Sequence, residues 1–288
     1  MRRSLPAVLT AILVLATLSP VRAQDTLYFS AIPDEDETRL TERFSAVADY
    51  LSDELGVPVA FVPVKSYPAA VTAFRNDQVQ LAWFGGLSGV QARLLVPDAR
   101  AIAQGSEDTT FVSYFIAHTG TGLQPSEDFP MAAKGMTFTF GAKTSTSGRL
   151  MPEYAIREET GVAPEDFFGR VGFSGDHSQT LRLVASGAWQ VGALNYAVYD
   201  QAVADGAPEV QTAKVIWKTP PYPDYNWTIR GDVDQRWGEG FADRVQAALI
   251  GMDDPALLAA FPRAAFIPAA NADYAPIEAV ARQLDLLE

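Results

Sequence analysis

No cysteine occurs among the 288 residues. Disulfides, thiolate metal sites, a cysteine nucleophile and a lipid-anchored cysteine behind a leader are all excluded. Basic residues are scarce, 22 against 35 acidic, for a formal net charge of −13. Such a surface argues against nucleic acid or an anionic membrane as a partner. It does not exclude a small anion. Exposed charges beyond roughly 8 Å are screened at physiological salt, whereas oriented N–H groups in a dry cleft are not.

Long apolar runs are scarce too. The one at Leu5 to Leu18 follows Arg2 and Arg3 and precedes Val21-Arg22-Ala23, which reads as an export signal over residues 1–23, cleaved after Ala23. It is too short to span a bilayer, so the expected product is a chain free in the periplasm, without membrane insertion and monomeric. Its 19 basic and 35 acidic residues would give a net charge near −16, since Arg2, Arg3 and Arg22 leave with the signal. Repeats, low-complexity tracts and flexible linkers are also missing, so two lobes of this chain have to be connected by ordered strands.

What is present is an alternation of strand and helix signals. Thr26–Ala31 reads as a strand. Asp36–Leu55 reads as an amphipathic helix with Leu40, Phe44, Val47, Ala48, Leu51 and Leu55 on one face and Gly56 as its stop. The acidic run Asp34 to Glu37 suits a helix start, not a calcium loop. Strands at 59–64, 79–84 and 101–104 alternate with helices at 68–76 and 85–95. A long strand, Phe111–His118, is expected to pass between lobes. Strands at 136–141, 171–173 and 191–194 then alternate with helices at 149–160, 178–186 and 196–204, and strands at 214–218 and 227–229 bring the chain back. Helices near 235–252 and 275–287 complete the first lobe. This rhythm predicts an α/β protein of two lobes with parallel sheets covered by helices, residues 24–113 plus 219–288 forming one lobe and 114–218 the other.

Ligands of open α/β sheets sit beyond the carboxyl ends of strands, where helices begin. Four loops meet that condition: Lys65-Ser66-Tyr67, Gly85 to Ser88, Ser145 to Gly148 and Gly175 to Ser178. Unpaired N–H groups and hydroxyls at helix starts, at the positive end of the macrodipole, build a pocket for an oxyanion.

The loops, in this order and spacing, resemble the phosphate, phosphite and phosphonate periplasmic-binding proteins of ABC importers. The likeness rests on Val47-Ala48-Asp49-Tyr50-Leu51, Ser66-Tyr67 before Ala69-Ala70-Val71, Gln80-Leu81-Ala82-Trp83-Phe84-Gly85, Ser145-Thr146-Ser147-Gly148 and His177. The wording Phe29 to Asp34 with Trp83 to Arg93 is most similar to the subgroup named for selenate binding. The resemblance implies a type II periplasmic binding fold, two α/β lobes joined by two crossing strands around a ligand cleft. It also implies a permease with its ATPase as partners, no cofactor, no metal and no catalysis. Carried over by position, Tyr67 donates to the anion, Ser145, Thr146 and Ser147 cradle it, and His177 faces it from the other side. Ser88, Tyr196 and Tyr225 complete the expected lining.

Departures from the family pattern bear on the ligand. Many members follow the histidine with aspartate, where this chain has Ser178, and that leans toward a selenate- or sulfate-like guest lacking a proton to offer. Phe84 replaces a common tyrosine. Asn195 to Tyr199 contains no carboxylate for a ligand amine, which favours a small inorganic oxyanion over an aminoalkylphosphonate. Two rivals remain open. A ligand-presenting subunit of a sensor kinase needs the same closed form. A serine hydrolase finds serines, His177 and Asp176 present, but no Gly-x-Ser-x-Gly elbow.

Overall fold

A computed structural model describes residues 25–34 and 37–287; the expected cleavage site after Ala23 and the middle of the acidic run, Glu35 and Asp36, lie outside them. β1 (Leu27–Ala31) leaves only Tyr28 exposed, as a strand covered on both faces should. α1 (Glu37–Leu55) buries Leu40, Phe44, Val47, Leu51 and Leu55, and Gly56 follows it at φ 66°. β2 (Val59–Phe61) is shorter than its apolar run. Pairing with β1 ends at Phe29–Phe61, and Pro63 lacks the N–H to extend it. α2 (Tyr67–Arg75), β3 (Leu81–Phe84), α3 (Gly86–Leu95) and β4 (Arg100–Gly105) follow as the periodicity leads one to expect.

The crossing differs from the expected single strand. After β4 the chain makes a 3-10 turn, Ser106–Thr110, then one bridge between Phe111 and Tyr222, and only then β5 (Ser113–His118). The turn is held from within. The Asp108 carboxylate accepts the Gly105 N–H at 2.9 Å and takes Arg263 in a bidentate pair at 2.7 and 2.9 Å, with Arg263 also lying over the rings of Phe111 and Tyr225. Regular strand geometry at 106–112 would undo that buried pair.

Beyond the crossing come β6 (Thr137–Phe140), α4 (Met151–Thr160), α5 (Pro164–Phe167), β7 (Arg170–Phe173), α6 (His177–Ala185), β8 (Val191–Asn195), α7 (Tyr196–Ala204), α8 (Glu209–Thr212) and β9 (Ala213–Lys218). β10 (Asn226–Ile229) returns to the first sheet. The expected helix over 235–252 is two helices, α9 (Val233–Trp237) and α10 (Phe241–Ile250), because Gly238 and Gly240 between them adopt φ 97° and 77°. α11 (Pro255–Leu258), β11 (Phe266–Pro268), which the apolar pattern did not reveal, and α12 (Ala275–Gln283) finish the chain.

Among the described residues the strands form two sheets, ordered β11-β4-β10-β3-β1-β2 and β7-β6-β8-β5-β9. They are mixed, not wholly parallel. β10 runs antiparallel to β3 and β4, and β5 antiparallel to β8 and β9, since a strand that arrives from the other lobe enters the sheet in the opposite sense. Each sheet has its own core. Phe29, Phe44, Trp83, Trp227, Phe261 and Phe266 interlock in the first, and Phe115, Phe129, Phe138 and Trp217 in the second. No helix among the described residues is long and apolar enough to cross a membrane.

Candidate functional site

The strand β6 delivers the chain to Ser145, whose hydroxyl accepts the Gly148 N–H at 3.0 Å. The turn that follows, Thr146–Leu150, is wide: the Leu150 N–H reaches back five residues to the Ser145 carbonyl at 3.0 Å before α4 takes up regular winding. Such π-type turns recur at functional sites, and this one leaves the Thr146 and Ser147 N–H groups ahead of any intrahelical acceptor. Gly148 is required here. A Cβ would lie 3.0 Å from His177 Cε1 and from Ser145 Oγ, and 3.1 Å from Gly141 Cα.

His177, the first residue of α6, is fully buried. Its Nδ1 accepts the Asn195 N–H at 3.2 Å, so the proton of the neutral ring sits on Nε2, which faces Ser147 Oγ at 3.5 Å. Burial pulls its pKa down to about 3, and the ring is a neutral donor at any physiological pH.

Across the cleft stands Tyr67, at the start of α2. Its hydroxyl is buried and, among the described residues, lacks a hydrogen-bond partner. Burial pushes the phenol well above its ordinary value, the Asp34, Asp224 and Asp176 carboxylates push the same way, and the neighbouring Ser145 hydroxyl opposes them. The phenol therefore keeps its proton, with the Ser145 hydroxyl beside it.

The two lobes touch at this point. Thr146 Oγ1 accepts the Leu87 N–H of α3 at 3.0 Å. Asp34 is held from both sides: the His177 N–H reaches its carbonyl at 3.2 Å, and Tyr225 Oη donates to its carboxylate at 2.9 Å while accepting from Asn195 Nδ2 at 3.0 Å. Tyr225 also stacks on Trp83, with centroids 5.4 Å apart.

Tyr67, Ser145, Thr146, Ser147 and His177 thus come together, and Tyr225 joins them through Asn195. Others of the expected set do not. Phe84 packs edge-on against Phe74 inside the first lobe. Ser88 donates back to the Gly85 carbonyl at 3.2 Å within its own helix start. Tyr196 packs on Phe111 and Tyr114 at the crossing, and Ser178 is half-buried at the second position of α6. The start of α3 is not an open donor site, because the Gly86 N–H is taken by Asp224 Oδ1 at 2.8 Å and the Leu87 N–H by Thr146. Sequence reasoning passed over Asp224, Asp34 and Asn195, as nothing local in an irregular segment marks which side chain will face another lobe.

Two spaces border the site. Behind Tyr225, Trp83, Asn195, Ala197, Val198 and Arg263 line an inner cavity of about 20 Å³. Toward solvent, a recess of about 560 Å³ opens between Lys65–Pro68 of one lobe and Gly141–Lys143 and Phe173–Asp176 of the other. A hydrolytic triad is not assembled. His177 Nδ1 is occupied by a backbone N–H, and Asp176 caps its own helix through the Gln179 N–H at 2.6 Å.

Comparison with known proteins identifies the family. Residues 29–274 match the family described as ABC transporter, phosphonate, periplasmic substrate-binding protein. In Prochlorococcus marinus (strain MIT 9301), the relative named "Probable ABC transporter phosphite binding protein PhnD1" is 39% identical over 267 residues, covering 90% of each chain. The structure of PhnD1 from that organism in complex with methylphosphonate superposes with a TM-score of 0.86 at 38% identity, over 90% of this chain and 98% of that one. The phosphonates-binding periplasmic protein of Escherichia coli (strain K12) is 27% identical over 222 residues, 74% of this chain and 64% of that protein. A binding-protein component of a phosphonate transporter from Pseudomonas aeruginosa, at 22% identity and TM-score 0.78 over 89% of this chain and 85% of that one, shares the fold. The selenate subgroup finds no support in these matches, whose names concern phosphite and phosphonates. The chain belongs to the phosphonate-binding family of periplasmic substrate-binding proteins, the ligand-capturing components of ABC importers.

Proposed function

We propose that the cleft takes a small phosphorus oxyanion, phosphite or methylphosphonate in size, and hands it to its permease in the closed form. One observation carries the reading: the Thr146–Ser147 turn start, the neutral Nε2–H of His177 and the unpaired Tyr67 hydroxyl meet between the lobes, in a buried place where an anion would supply the missing acceptor. Tyr67, Ser145, Thr146, Ser147 and His177 are the proposed ligand-binding residues, with Tyr225 positioning Asp34 beside them. The proposed lobes are 24–113 with 219–288, and 114–218, turning about the two crossings as a monomer released by cleavage after Ala23.

Calorimetric titration with methylphosphonate and phosphite tests this on the wild type and on Tyr67→Phe. The variant removes a buried hydroxyl that, among the described residues, meets no acceptor at hydrogen-bond geometry. Affinity should fall about tenfold, the worth of one bond to a charged acceptor, while the thermal midpoint of the empty chain stays level or rises. Equal affinity in the variant, or no binding in the wild type, would overturn the assignment.

A further inference from the structure

Two recesses of similar size open on the surface, and among the described residues their charges are opposite in sign. The one beside the end of β9, about 490 Å³, is lined by Glu127, Asp128 and Glu159 against the single cation Lys218, in keeping with a chain of net charge −13. The recess at the cleft mouth, about 560 Å³, inverts that ratio: Lys65, Lys143 and Arg182 line it against one carboxylate, Asp176. That carboxylate caps its own helix, accepting the Gln179 N–H at 2.6 Å. All three cations are exposed. Lys143 rests over the Phe173 ring at 5.5 Å and Arg182 donates its Nε to Gln179 at 3.0 Å, and neither forms an ion pair among the described residues. Tyr67, buried in the inner site, lines the same recess. Cations that are scarce over the chain are thus gathered around the opening that leads to it.

We propose that Lys143 and Arg182 on one lip of the cleft, with Lys65 on the other, form an outer capture site that draws small oxyanions through an otherwise repelling surface. The inference rests on the ligand site proposed above and adds a step ahead of it. A surface of this net charge opposes an approaching anion, and salt weakens that opposition only beyond about 8 Å. Positive groups in a recess with low-dielectric walls focus the opposite field at the entrance and raise the local concentration of anions there. Phe173, 40% exposed beneath Lys143, supplies such a wall. The outer cations remain in water, whereas the inner donors are buried, so the two layers act on different rates. Charge at the rim governs association, and buried hydrogen bonds govern dissociation. Because the field acts on charge alone, the outer site gathers phosphonate and sulfate alike. The choice between guests is left to the inner donors.

The test is stopped-flow mixing of the full chain with methylphosphonate, read by tryptophan fluorescence, since Trp83 stacks on Tyr225 where the lobes meet. At an ionic strength of about 0.01 M, where screening sets in only beyond about 30 Å, the double variant Lys143→Gln with Arg182→Gln should associate about five- to tenfold more slowly than wild type, with an unchanged dissociation rate. At about 1 M, where the screening length is about 3 Å, the two should agree within about twofold. A control pair, Lys134→Gln with Lys214→Gln, removes the same charge from exposed positions outside the recess and should stay within about twofold of wild type at either salt. Unchanged association in the first variant, equal slowing in the control, or a loss carried by faster dissociation would overturn the outer site while leaving the inner one intact. No binding of methylphosphonate by the wild type in calorimetry would instead overturn the inner site, and this inference with it.

Discussion

The helix start at Gly85–Ser88 and the one at Ser145–Gly148, one from each lobe, are alike in sequence: small and hydroxyl residues after a strand. Tertiary structure gives them opposite roles. The α3 start spends its N–H groups on protein, Gly86 on Asp224 and Leu87 on Thr146, so it receives the other lobe. The Ser145 turn holds itself open through a wide ring, and its first N–H groups stand ahead of any intrahelical acceptor. A helix N-terminus is an anion site only when nothing nearer satisfies it.

The strongest challenge to this two-sided picture concerns the joint. If the crossings were passive tethers, losing Arg263 would cost little. Because it pairs with Asp108 in near-complete burial, we expect Arg263→Met to destabilise the protein by about 3–5 kcal/mol, read by chemical denaturation. A loss below about 1 kcal/mol, the worth of an exposed pair, would make the joint passive after all.

Next come the two glycines. Gly148→Ala presses a methyl onto His177, Ser145 and Gly141, and should cost about 1–3 kcal/mol and at least about tenfold in methylphosphonate affinity. Gly85→Ala meets only side-chain oxygens of Asp224 and Thr146 and Ile32 Cδ1, at 3.2 to 3.5 Å, and should do less on both counts. The reverse order would break the distinction between ligand-facing and lobe-facing starts.

A smaller effect separates His177 and Asp224 by the sign of their pH dependence. His177 has its folded pKa lowered from 6.5 to about 3, so its contribution is present above pH 6.5 and lost as pH falls toward 3. Asp224 is raised from 3.8 to about 7, so its contribution is present below 3.8 and lost as pH rises toward 7. Between these limits the two slopes oppose each other. Asp224→Asn leaves that of His177 uncompensated, so between about pH 4 and 6 the variant's unfolding free energy should climb more steeply than the wild type's, by up to about 1.4 kcal/mol per pH unit. Parallel curves would show that Asp224 does not titrate there. The smallest change is expected for Ser88→Ala. Its hydroxyl serves its own helix start, so stability should drop by about 0.5–1 kcal/mol with ligand affinity unaltered in calorimetry.

Much of this arrangement was legible in the sequence. Periodicity located α1, α2, α3 and the strands between them, because each buries one face locally. The family resemblance, carried by Ser145 to Gly148, Tyr67 and His177, named residues that the fold does bring together. Phe84, Ser88 and Tyr196 were less legible. Their neighbours in sequence touch the cleft, and nothing local tells a cleft-facing ring from one that packs on Phe74 or Phe111. The break at Gly238 and Gly240 and the short strand β11 were equally hidden, the first inside an apolar period and the second at an edge.

By itself the sequence determined the two-lobed α/β class, the absence of thiol chemistry and the position of the Ser145–Gly148 turn. These follow from composition, periodicity and residues adjacent along the chain. Only the tertiary structure decided which helix starts were already occupied, which proton His177 carries, and that a carboxylate from the return crossing stands among the donors. Those outcomes depend on partners up to 138 residues away, as for Gly86 and Asp224. Burial between lobes sets the energy of such groups, and no local pattern encodes it.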